Sequence, residues 1–149
     1  MNVLAAGVMT LLGADSGAGG IATIVGLDPD GNKQIYQSKA SQKAVPPYVL
    51  IREPSDFPQY GFGNSNQADH IFYLVQGFAA DSPTASGPAT AGTLADRIRA
   101  LFLNPTMTVS GKTVVSCSPL QTTTPLEEWD DTNSRWIYSR GWLIDIWVA

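Results

Sequence analysis

The chain has one histidine and one cysteine, which bounds what it can do with bases, nucleophiles and soft metals. His70 opens a run of strand-forming residues, Ile71-Phe72-Tyr73-Leu74-Val75. It reads there as a strand-end side chain or, alternatively, as a general base. A dyad with Cys117 requires two strand residues to meet in space, and no spacing in the sequence brings them together. Metal centres built on His/Cys clusters are excluded by the count alone. Asp28-x-Asp30-x-Asn32 opens like a calcium loop, but Lys33 stands at position six and Lys39 at position twelve, where Gly and Glu are needed. It is a turn. Gly13–Gly20 lacks the Gly-Lys-Ser/Thr ending of a phosphate loop. Gly61-Phe62-Gly63 is followed by Asn66 where a dinucleotide fingerprint needs its third Gly.

The densest acidic cluster is Glu127, Glu128, Asp130 and Asp131 around Trp129. Such a cluster suits a cation or a basic partner surface, or is simply a solvated loop. Trp129 is costly to leave wet, and a partner would cover it. No constellation here supports catalysis, and none implies a metal or cofactor.

The elements that must position these residues follow from periodicity. Leu4, Val8, Leu11 and Leu12 share one helical face, with Gly13 as a stop. A short helical stretch runs from Ile21 to Val25 before Gly26. Asp28-Pro29-Asp30-Gly31-Asn32 has turn composition, and Ile35-Tyr36 begins an extended piece. Pro46-Pro47 leads into a strand, Tyr48–Ile51, and His70–Phe78 reads as the best internal strand. Asp81–Gly92 reads as a linker into a helix, Thr93–Leu103, started by a box of Thr93 and Asp96. On that helix Leu94, Ile98, Leu101 and Phe102 form the core face, and Arg97 and Arg99 point elsewhere as candidates for ion pairs between subunits. Ser110-Gly111-Lys112 reads as a hairpin loop between Met107–Val109 and Thr113–Cys117. Trp136–Val148 closes the chain as a strand. Two long polar loops, 53–68 and 119–135, complete the reading. The first carries Phe57, Tyr60 and Phe62, and the second carries Trp129 and its acids. These aromatics are candidate partner contacts, or else each loop buries its own. The pattern predicts one α+β domain over 1–149, with a mainly antiparallel sheet and one or two helices packed on one face.

Composition narrows the class. Nine Lys and Arg against thirteen Asp and Glu give a net charge of −4, and the charged fraction is 15%, against roughly 25% for soluble chains. That balance argues against a sequence-independent nucleic-acid binder. Polarity comes instead from 24 Ser and Thr, neutral groups that can be buried against a neighbour without desolvating many ions. The lone Cys117 forms no internal disulfide. The opening residues lack a basic n-region, and Asn2–Leu12 is too short to span a membrane, so a soluble, unprocessed chain is expected.

The order of these signals resembles the tail completion, or tail terminator, proteins of long-tailed bacteriophages. The residues carrying the likeness are the leading helix with Ile24-Val25-Gly26, the Ile35-Tyr36 piece, Pro47-Tyr48-Val49, the apolar strand Ile71–Phe78, the helix from Ala95-Asp96-Arg97-Ile98 to Phe102, the hairpin on Gly111 and the final strand. In that family a Pro-Tyr-Val strand opens the sheet and an Ala-rich linker leads into the helix packed on it. The resemblance implies a structural virion subunit that forms a homohexameric ring at the head-proximal end of the tail tube. Such a ring ends tube polymerisation and joins the tail to the head connector. Its partners would be other copies of itself, the tail tube protein and the head–tail connector protein, with no cofactor, no membrane and no sequence-specific nucleic acid, in a ring through which genome DNA can pass. The alternatives are a head–tail connector (neck) subunit, a monomeric binding module, and a small hydrolase using His70.

Overall fold

The computed structural model describes residues 3–53 and 69–149. Leu4, Ala5, Val8 and Leu12 line one side of α1 (Val3–Ala14), and all are buried. The turn after it leads into α2 (Ile21–Val25), which Gly26 stops with a positive φ of 64°. Asp28 then organises a tight turn: its Oδ1 accepts from the backbone N–H groups of Asp30 and Asn32, both at 2.9 Å. The calcium-like spelling is therefore an Asx turn, as its two failed positions imply.

Among the described residues six strands form one sheet: β1 (Ile35–Gln37), β2 (Tyr48–Arg52), β3 (Asp69–Ala80), β4 (Val114–Thr122), β5 (Leu126–Asp130) and β6 (Arg135–Val148). The order is β1-β2-β3-β6-β4, and β5 pairs with β6 beyond the end of β4. Among these pairings β1–β2 is parallel and the others are antiparallel. The long β3–β6 pairing is the spine, running unbroken from Asp69↔Val148 to Ala80↔Ile137. Alternation sends Val49, Ile51, Tyr73, Val75, Ile144 and Ile146 to the helix side, where they meet Val8, Leu12, Leu94 and Ile98. The α+β class and the mainly antiparallel sheet are as the sequence predicts.

α3 (Gly87–Leu101) lies across this sheet and buries Ala91, Leu94, Ala95 and Ile98. Its approach is close enough that a Cβ on Gly77 would sit 2.5 Å from the Leu94 Cβ. Three sequence expectations change here. The helix begins six residues before Thr93, with Ser86 as the cap accepting from the Ala89 N–H and Pro88 in the first turn. Thr93 sits mid-helix, its hydroxyl donating to the Ala89 carbonyl at 3.0 Å. The Ala-rich stretch read as a linker is helical, because Ala favours helix and Ala91 packs against the sheet. Leu101 is only half-buried, whereas Phe102 just beyond the helix is fully enclosed.

The larger correction concerns 119–135. The expected long polar loop is mostly strand: β4 runs to Thr122, β5 covers Leu126–Asp130, and only a short turn separates β5 from β6. Glu and Asp have poor strand propensity, and the ladder to β6 supplies what their own preference lacks. The Gly111 turn does form, with φ of 71° and the Lys112 N–H donating to the Val109 carbonyl. Val109 and Lys112 form a single antiparallel bridge across it, and beyond that bridge the chain pairs with β6 and not with Met107–Val109. The 53–68 loop, apart from Glu53, lies outside the described residues.

Candidate functional site

His70 and Cys117 lie on opposite faces of the sheet. His70 is paired with Trp147 and Cys117 with Ile146, neighbours on β6 whose side chains point oppositely. The imidazole stacks on Trp147 at 4.0 Å with 12° between planes, and its Nε2 hydrogen-bonds Asp145 Oδ1. Cys117 is 2% exposed in the core, and burial, reinforced by the Asp145 charge, pushes its thiol up to about 12. The dyad does not form. Ser118 stands opposite Asp145 on β4, so the acid separates this hydroxyl from the base two strands away. A nucleophile must contact its base directly, so this order does not make a hydrolase triad. Among the described residues no group of three or more His, Cys, Asp or Glu could hold a metal ion.

The candidate partner contacts fall into three groups. Phe57, Tyr60 and Phe62 lie outside the described residues. Arg97 is engaged inside the subunit: its Nε donates to Asp15 Oδ2 at 2.8 Å and its Nη2 to Oδ1 at 2.5 Å. Asp15 also accepts from the Ile21 N–H at 2.8 Å, so one carboxylate ties α1, α2 and α3 together. Arg97 is thus already paired within the chain, and its side chain remains 41% exposed. Arg99 is exposed, with its guanidinium 5.8 Å over the Trp142 ring.

Glu127, Glu128, Trp129, Asp130 and Asp131 come together on the β5–β6 hairpin. Asp130 builds its turn, accepting from the Thr132 N–H at 3.1 Å, from Asn133 Nδ2 at 2.9 Å and from Arg135 Nε at 3.3 Å. The Asn133 hydrogen bond, more than Arg135, holds its carboxyl below the usual range. Trp129 is directly opposite Trp136, ring centroids 5.4 Å apart and 67° between planes. They are 45% and 47% exposed. Trp136 shares the parity of the core residues Ile144, Ile146 and Val148, and its exposure was not legible from that parity alone. The signal available was Asp131-Thr132-Asn133-Ser134, a turn composition with the two tryptophans placed symmetrically about it.

Two features of the sheet decide how a partner can approach. On the face away from the helices Tyr48 stacks on Phe78 at 5.0 Å. A cleft of about 640 Å³ runs there between 40–46 and the hairpin, past Tyr48, Phe78, Glu128 and Ile137. The edge strands β1 and β4 are blunted. β1 is three residues long, and β4 carries Pro119 and two register shifts, which leave Val115 and Leu120 unpaired and exposed. Sheet extension by a neighbour is disfavoured at β1 and β4, whereas β5 pairs only with β6 among the described residues and keeps its outer side, which carries Glu127, Glu128 and Asp130, open. No helix among the described residues is long and apolar enough to cross a membrane.

No protein-family model matches the chain, and no curated protein matches it. Among solved structures it superposes on a chain from the virion of a native gene transfer agent (GTA) particle. The TM-score is 0.64 at 16% identity, over 97% of this chain and 93% of that one. At that identity the likeness is one of fold, and it extends over nearly the whole of both chains.

Proposed function

We propose that the protein is a structural virion subunit, the tail terminator that forms a ring at the head-proximal end of a tail tube, ends its polymerisation and joins it to the head connector. The observation that carries this reading is the end-to-end likeness of fold to a chain from a gene transfer agent virion. The resemblance to tail completion proteins noted in the sequence supplies the ring and its position. Low charge density and neutral polar surface suit an assembly subunit. Blunted β1 and β4 edges favour side-chain contacts that close a ring over open-ended strand addition.

The test is electron microscopy of particles assembled without this protein. A terminator predicts overlong tails lacking heads. Tails of normal length left unattached to heads would assign it to the neck as a connector subunit. Normal, infectious particles would remove it from the virion structure altogether.

A further inference from the structure

We propose that the β5–β6 hairpin docks a basic surface of a different protein, with an arginine side chain seated on the Trp129–Trp136 pair. The inference is independent of the tail reading, since it rests on this surface alone. Two facing tryptophans, each close to half exposed, form an apolar patch at the end of a ribbon. Such a patch is characteristic of a contact surface. Tryptophan is also the best aromatic platform for a guanidinium. The same hairpin carries Glu127, Glu128, Asp130 and Asp131 against Arg135, and Arg135 already lies on Asp130. No hydrogen bond or ion pair within the described residues holds Glu127, Glu128 or Asp131. Carboxylates beside an aromatic platform complement a surface offering arginine, whose fork pairs with a carboxylate while its plane stacks on a ring.

The occupant is a foreign protein because a second copy offers poor complementarity. Of the nine Lys and Arg, Lys33 is on the Gly13 carbonyl, Lys43 on Asp30, Arg52 on Gln76, Arg97 on Asp15, Arg99 over Trp142 and Arg135 within the hairpin itself. Lys39, Lys112 and Arg140 are single cations on three different elements, Arg140 already beside Glu127, and form no basic patch. A net charge of −4 further sets copies against one another at this acidic tip.

The experiment is calorimetric titration of the purified chain with hexa-arginine, with hexa-lysine for comparison. Saturable binding is expected, weaker for hexa-lysine and weakened by salt. Trp129→Ala or Trp136→Ala should lower affinity by roughly five- to tenfold, as loss of a cation–π contact implies. The double variant Glu127→Gln/Asp131→Asn, which removes two exposed carboxylates with near-isosteric amides and leaves the backbone ladder in place, should lower it similarly with an unchanged melting temperature. Absence of binding, or binding indifferent to all these changes, would overturn the proposal. So would sedimentation showing that the wild-type chain self-associates and that the tryptophan variants do not, because the occupant would then be a second copy.

Discussion

Asp15 accepts from the Ile21 backbone and from both arms of Arg97, so a single carboxylate holds three helices in register. The Arg97 hydrogen bond holds its carboxyl below the ordinary value of 3.8, against the opposing effect of burial and with help from the Ile21 N–H. A folded-state value below the unfolded one means stability that is present above the ordinary value and lost as pH falls through the folded one. Asp15→Asn should therefore cost about 1–2 kcal/mol at neutral pH, the lower end favoured because the Arg97 side chain is 41% exposed. The variant should also lose less stability than the parent on acidification below the ordinary value. Urea titrations at neutral and acid pH check both parts, and equal acid sensitivity in the two proteins would contradict the assignment. Cys117 gives a second test at this scale. Its burial predicts no reaction with a disulfide reagent at neutral pH in the folded protein and full reaction in denaturant. Rapid labelling of the native chain would show that the β4–β6 ladder opens. The Asp15–Arg97 pair was not legible in the sequence, because 82 residues separate its members and no periodicity links them.

α3 makes the sharpest stability predictions at the scale of elements. Leu94→Ala and Ile98→Ala each remove a fully buried side chain and should cost roughly 2–5 kcal/mol. Leu101→Ala, at a half-buried position, should cost less. Gly77→Ala should destabilise by about 1–3 kcal/mol, because the new methyl meets Leu94 inside a packed layer. Thermal unfolding of the four variants ranks them, and a Leu101 variant as damaged as the Leu94 one would place the helix in the wrong rotation. Elements whose own residues carry the signal were legible: α1, α2, β2, β3 and the inner half of β6 all follow from periodicity or apolar runs. The start of α3 was hidden because Ser, Pro, Ala, Thr and Gly spell a linker as readily as a capped first turn. β5 was hidden because Leu-Glu-Glu-Trp-Asp has no strand pattern of its own and becomes a strand only on β6. The proposed contact surface was legible in part: the acids and Trp129 stand out by composition, whereas Trp136 needed the hairpin.

Over the whole molecule, helices cover one face of the sheet, and the edge strands β1 and β4 resist extension. Among the described residues five of the eight exposed large apolar side chains, Val115, Leu120, Leu126, Trp129 and Trp136, lie on β4, β5 and the outer half of β6, while Leu27, Val45 and Leu103 lie elsewhere. On the proposed reading, the packed helix–sheet layer fixes the geometry and the β5–β6 ribbon makes the contacts. Trp129→Ser should accordingly leave the chain folded and soluble, with an unchanged melting temperature, while lowering the yield of complete particles. An aggregated or unfolded variant would instead make Trp129 part of the subunit's own core. The most direct measurement of the central claim is cryo-electron microscopy of intact particles in which this chain is located by its own density. The account predicts a closed ring of copies at the junction of tail tube and head connector, with the helical layer and sheet preserved in each copy. A single copy per particle, a position elsewhere in the virion, or the absence of the chain from purified particles would contradict it.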